Sequence, residues 1–113
     1  MNTLYFIITL IALGAIPGLY LLTLVLRKKE TPKLVALIHG SFVITALILL
    51  IYYFFQHGTG PLQSLILFVL AALGGLTLIY RDLTGKSLPF WLAIGHGSIA
   101  ITAFIFLLVY AFS

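Results

Sequence analysis

Four long apolar runs, separated by three short polar breaks, organise this chain. The runs fall at roughly 3–26, 33–55, 62–80 and 89–112, and the breaks read RKKETP, QHGTGP and RDLTGKSLP. Each run is near the ~20 residues that a helix needs to cross about 30 Å of hydrocarbon. A segment in lipid must satisfy its own backbone, so the runs predict helices rather than strands. Links this short make successive helices antiparallel, which predicts an all-α, up-down-up-down four-helix bundle forming one transmembrane domain over residues 1–113. Pro32 (after Thr31), Pro61 and Pro89 stand at the starts of the last three runs, where a fixed φ and a missing N–H suit a first turn. Pro17 falls inside the first run and predicts a kink there.

The pattern also repeats. Shifted by 57 residues, the chain matches itself without a gap: between 36–55 and 93–112, 11 of 20 positions are identical, including His39/His96, Gly40/Gly97, Ser41/Ser98, Thr45/Thr102 and Tyr53/Tyr110. The first and third runs match more weakly, through Ala15/Ala72, Gly18/Gly75, Leu19/Leu76 and Leu21/Leu78. Internal self-similarity of this kind predicts two copies of one helical hairpin, repeat 1 over 1–56 and repeat 2 over 58–113. Two spans per copy is an even number, so both copies enter the bilayer in the same sense, with a pseudo-two-fold axis along the membrane normal. The second and fourth helices then lie diagonally across that axis, with equivalent residues at equal depth.

Composition fixes the class. The chain is 63% hydrophobic and 7% charged, with a mean hydropathy of +1.27, more apolar than a water-soluble domain of 113 residues can bury. Arg27, Lys28, Lys29 and Lys33 flank the first break and Arg81 and Lys86 the third, whereas the middle break and both termini carry no Lys or Arg. The positive-inside rule therefore places loops 27–32 and 81–88 in the cytoplasm and both termini outside, in a plasma membrane of the bacterial inner-membrane kind. The net charge of +4 reads as a topology signal and headgroup contact, and nucleic acid is not an expected partner. The first 20 residues lack a basic n-region, so the first span reads as retained. With no cysteine there is no thiolate metal site and no CxxCH attachment.

Two histidines change the picture. The stripe 36, 39, 40, 43, 46, 50, 53 and its counterpart 93, 96, 97, 100, 103, 107, 110 surround His39 and His96 with small residues, as an inward face does. Phe42, Leu47 and Leu49, with Ile99, Phe104 and Phe106, are expected to face lipid. His39 lies about 10 Å inside the start of its run, near the level of Gly18 and somewhat deeper than Gly75. Gly14-x-x-x-Gly18 and Ala71-x-x-x-Gly75 are small-xxx-small patterns, which serve close helix packing or leave room for a flat, wide ligand. Intramembrane ionisable residues are rare and usually functional, and a neutral imidazole suits iron, copper or zinc. Two histidines are too few for zinc, which takes four ligands. A porphyrin supplies four nitrogens and needs only two axial ones from the protein. Structural histidines that bond a neighbouring helix remain the alternative.

Two histidines on diagonal helices, with glycines on the other two, resemble the haem-binding four-helix bundles of membrane b-type cytochromes: cytochrome b of quinol-oxidising complexes and cytochrome b561-type proteins. The resemblance covers architecture and His/Gly placement rather than a long motif. It implies one haem b with His39 and His96 as axial iron ligands, and Gly18, Gly75, Gly14 and Gly74 packing against it, beside Gly40 and Gly97 of the His-Gly-Ser triplets. It implies an electron carrier within a larger redox system, with the bilayer and other membrane redox subunits or quinone as partners and self-association as a further option. This chain has one intramembrane His pair where those families commonly hold two haems. Propionates near the cytoplasmic face would meet Lys33, Arg27, Arg81 or Lys86.

The remaining residues are expected to be bland. Ser41, Thr45, Ser98 and Thr102 read as backbone-bonded or interhelical glue. Tyr52, Tyr53, Phe54, Phe55 and Tyr110 read as an outer aromatic belt, Trp91 as an inner interface marker and His57 as a solvated loop residue. No nucleophile–base–acid set, phosphate loop or soluble basic surface supports hydrolysis or nucleic-acid binding. The size and four spans are similar to the small multidrug resistance family, but no carboxylate lies within a span. The competing function is a non-catalytic membrane subunit or assembly factor with structural histidines.

Overall fold

The computed structural model describes residues 2–58 and 60–113; Met1 and Thr59, which fall within the two repeat units, lie outside the described residues. Its helices are α1 (Asn2–Leu26), α2 (Lys33–His57), α3 (Leu62–Leu83) and α4 (Phe90–Phe112). All four are long and apolar enough to cross a membrane. They lie close to the expected spans, with three differences. Arg81, Asp82 and Leu83 extend α3, His57 closes α2 instead of lying in a loop, and Pro89 precedes α4. The end residues are mostly polar, so hydropathy stops short of the hydrogen-bonded helix.

Helix ends show what the prolines do. Pro32 and Pro89 are N-caps with the same backbone, φ −63° and ψ 130°, and Pro61 caps α3. Each stands one position before the expected first-turn site. Thr31 does not cap α2 either: its hydroxyl donates to Asp82 Oδ2 at 3.0 Å. The C-termini of α1 and α3 match each other. Lys28 (φ 56°) and Gly85 (φ 75°) take the left-handed conformation, and Lys29 N–H→Leu24 O and Lys86 N–H→Arg81 O, both 2.9 Å, close the same turn. This is the Schellman type of helix ending. α1 runs helically through Pro17.

Helices α1 and α2 pack extensively, as do α3 and α4; α1 and α4 touch less, and α2 and α3 least. Among the described residues the diagonal pairs make no close backbone approach, so the helices form a ring with α2 opposite α4. Thr31, Lys33 and Asp82 meet at one end, which carries all six basic residues. At the other, Tyr5 stacks on Phe112 at 5.6 Å between ring centroids.

The core is lopsided along the bundle axis. Leu4, Ile7, Ile11, Ala46, Leu50, Tyr53, Leu65, Leu107 and Ala111 form one buried cluster in the half nearer the termini. There Ser64, on α3, donates to the Ala103 carbonyl on α4 at 2.9 Å. In the basic half the buried set is small residues, Gly14, Ala71 and Ala93, with Leu24 and Thr31 near the end. The lipid-facing expectation needs correcting. Of the six residues named for it, only Phe106 is exposed, and Phe42, Leu47, Leu49, Ile99 and Phe104 are half-buried. Each helix in a ring touches two neighbours, so its covered arc is wider than a single seam. Leu37, Ile48, Tyr52, Ile101, Ile105 and Val109 are among those that face outward.

Candidate functional site

His39 and His96 reach toward each other from the diagonal helices, with ring centroids 6.2 Å apart and planes at 88°. Each ring is tied to the neighbouring helix of its own pair. His39 Nδ1 lies 2.8 Å from the Gly14 carbonyl, and His96 Nδ1 lies 2.7 Å from the Ala71 carbonyl. The 57-residue shift maps one bond onto the other. A carbonyl can only accept, so the hydrogen must sit on Nδ1 and Nδ1–H must donate. In a neutral ring this leaves Nε2 with a bare lone pair, on the side of the ring away from the carbonyl. Among the described residues neither Nε2 has a hydrogen-bond partner.

The glycines explain how the rings fit. A Cβ on Gly18 would stand 2.7 Å from His39 Cε1, and one on Gly75 would stand 3.0 Å from His96 Cε1. Both positions must lack a side chain for the imidazole to lie flat against the helix. Gly14 acts between the helix backbones instead. Its Cβ would meet Phe42 Cβ at 2.9 Å and Val43 Cγ1 at 3.0 Å, so its absence lets α1 and α2 close up. That approach is what brings the Gly14 carbonyl within reach of Nδ1. Gly74 borders His96, with 3.5 Å to its Cβ. The two His-Gly glycines differ from each other. At Gly97 an added Cβ meets Leu22 Cδ2 at 3.8 Å, whereas at Gly40 it meets no described atom within 4 Å.

Several residues outside the predicted site form polar contacts. Asp82 accepts from Thr31 and pairs with Lys33 at 3.0 Å, joining the start of α2 to the end of α3. The signal was available: with two carboxylates among six cations at that end, an ion pair was to be expected. Lys33 is thereby engaged, and Arg81 gives its Nε–H to the Ser87 carbonyl at 2.8 Å. Tyr53 is not part of an aromatic belt. It is buried, and His57 stacks on it at 4.0 Å while its Nδ1 lies 2.9 Å from the Tyr53 carbonyl. Tyr52 and Phe55 do face outward, as does Trp91 at the basic end. Thr102 donates to the Ser98 carbonyl on an exposed face, in keeping with a backbone-bonded role.

Among the described residues, no three His, Cys, Asp or Glu side chains converge as a metal cluster. Any metal at this pair would need its further ligands from elsewhere. Two surface cavities of about 210 and 220 Å³ lie away from the histidines, one lined by Pro61, Ser64, Val109 and Tyr110 among others, the other by Leu10, Ser41, Phe42 and Thr45. Comparison with protein-family models, with characterised proteins and with solved structures finds no match.

Proposed function

We propose that this chain is a multi-pass membrane protein in which two copies of one helical hairpin hold a single b-type haem between His39 and His96, and that it carries electrons within a larger redox system. The observation that carries this reading is the pair of bare Nε2 lone pairs on facing rings. Two lone pairs cannot bond each other, so each is available to an electron-poor partner. A metal–imidazole bond is about 2 Å and the nitrogen lies about 1 Å from the ring centre, so imidazoles on opposite sides of one metal have centroids about 6 Å apart. The centroids here are 6.2 Å apart.

The donor set suits haem. The porphyrin brings four nitrogens, and the protein contributes two neutral imidazoles. When bound, haem supplies one-electron chemistry at its iron. The chain's own residues do the rest. His39 and His96 would hold the iron, and the Gly14 and Ala71 carbonyls fix the tautomer and raise the basicity of Nε2. Gly18 and Gly75 seat the rings and Gly74 borders His96, while Gly40 and Gly97 follow the histidines in sequence without packing on a ring. Arg27, Lys33, Arg81 and Lys86 stand at that end to meet the propionates, with Lys33 paired to Asp82, Arg81 Nε–H on the Ser87 carbonyl and Lys86 over the Tyr80 ring. The membrane placement is supported by helix length and charge. The bundle is 42 Å long against about 30 Å of hydrocarbon, and every cation sits at one end. That end is assigned to the cytoplasm, with both termini outside.

An absorption spectrum tests the proposal. Detergent-solubilised protein, isolated or reconstituted with hemin, is expected to show a Soret band that shifts on reduction, and His39→Ala or His96→Ala each to abolish the six-coordinate spectrum. Folded, helical protein that takes up no hemin would overturn it. The second reading, a non-catalytic subunit with structural histidines, is favoured by the two Nδ1–H bonds, which satisfy each ring as interhelical glue. It predicts that both histidines tolerate Leu and that the protein copurifies with a partner complex.

A further inference from the structure

The two copies of the hairpin differ most at the termini end. In the first copy, Leu4 and Ile7 of α1 are fully buried, and Tyr53 of α2 is buried in the same cluster. The 57-residue shift carries Leu4, Phe6, Ile7 and Tyr53 onto Pro61, Gln63, Ser64 and Tyr110. Three apolar side chains are thus replaced by a proline, an amide and a hydroxyl. Where the first copy is filled with branched carbon, the second has a surface cavity of about 210 Å³, walled by Pro61, Gln63, Ser64, Phe106, Val109 and Tyr110. Tyr110 is only half-buried, unlike its twin Tyr53. Phe106 and Val109 are exposed, so the cavity opens on the outer face of the bundle.

The lining specifies an occupant. An apolar cavity of about 150 Å³ holds benzene. The larger volume here takes one six-membered ring with a small substituent. All six cations and both carboxylates belong to the other end of the bundle, so a charged ligand would find no counter-ion. The Ser64 hydrogen is already given to the Ala103 carbonyl at 2.9 Å. Its oxygen can therefore only accept, and a ligand that meets it must donate. Phe106 and Tyr110 supply aromatic walls for a ring. We propose that this cavity is a binding site for a neutral ring carrying a hydroxyl, of the phenol class, which enters from the bilayer, donates to Ser64 Oγ and packs on Phe106 and Tyr110. The site is separate from the histidine pair and does not rest on the haem reading.

The test is titration of the solubilised protein with para-fluorophenol and with para-fluoroanisole, which has no O–H, followed by fluorine NMR with helicity as the folding control. Saturable binding of the phenol is expected, with the anisole bound about twofold to tenfold more weakly for want of one hydrogen bond. Ser64→Ala keeps the space and removes the acceptor, so it should erase the difference between the two probes. Ser64→Ile and Gln63→Phe restore the first copy's residues and fill the cavity, and each is expected to abolish saturation. Because position 63 is exposed, Gln63→Phe decides the matter even if Ser64→Ile fails to fold. Phenol signals that do not saturate, or that saturate unchanged in helical Gln63→Phe protein, would overturn the site. Equal binding of phenol and anisole by the wild type would overturn the ligand class. Saturable phenol binding without hemin uptake leaves this site standing while the haem reading falls, and hemin uptake without phenol binding does the reverse.

Discussion

The two halves of the bundle solve the packing problem in opposite ways. Nearer the termini, Leu4, Ile7, Leu50 and Leu107 are fully buried and fill the axis with branched carbon. Toward the basic end the same four helices bury glycine and alanine and place two half-buried imidazoles between them. Lipid tails are as apolar as leucine, so helix association in a bilayer rests on contact quality and interhelical hydrogen bonds more than on hiding surface. The termini half has contact in abundance. The basic half substitutes two side chain-to-backbone bonds and seats the imidazoles in notches left by Gly18 and Gly75. One half is packed with branched carbon, and the other with small residues and two imidazoles bonded to backbone carbonyls.

Substitutions that exchange the character of the halves should break this contrast. The largest effect is expected in the termini half: Leu50→Ala or Leu107→Ala should cost about 2–5 kcal/mol in reversible unfolding in mixed micelles, because little can collapse into the space left. The hemin-binding spectrum should survive in the fraction that remains folded. In the basic half, Gly18→Val should push the His39 ring from its seat and cost about 1–3 kcal/mol. Unlike the leucine variants, it should also abolish six-coordinate hemin binding; an unaltered spectrum would show that the ring does not need that notch. Removing an imidazole without overpacking is milder. His39→Ala in the apo-protein should cost about 0.6–1.7 kcal/mol, the range of an interhelical hydrogen bond in a membrane protein. A smaller change of opposite sign is expected at Lys28, whose φ of 56° strains a side chain. Lys28→Gly should stabilise the protein by up to about 1 kcal/mol, whereas Gly85→Ala should destabilise it, which sharpens the match between the two turns.

Much of this arrangement is legible in the sequence, for a physical reason. Hydropathy reports a helix long enough to span a bilayer directly, and the 57-residue shift alone puts His39 and His96 on diagonal helices. Ring geometry is less accessible. Gly18 and Gly75 read as space for a ligand, but their missing Cβ atoms meet the imidazoles first, a fact set by rotamer and helix approach. Patterning misjudges the outward face at Leu47 and Phe104 because a wheel drawn for one helix does not know how many neighbours it has. Tyr53 looks interfacial from its position near a helix end, yet the inward stripe that carries His39 continues to it and buries it. Thr31 looks like a cap, and its hydroxyl instead meets Asp82, a residue 51 positions away that local patterning cannot couple to it.

The within-pair bonds, His39 to Gly14 and His96 to Ala71, carry a consequence for assembly. Each imidazole is aimed by the helix it pairs with, so the bond that orients it lies within one hairpin. The short link between α2 and α3 then acts chiefly by raising effective concentration, and two severed halves mixed in one micelle are expected to reassociate with each ring already oriented.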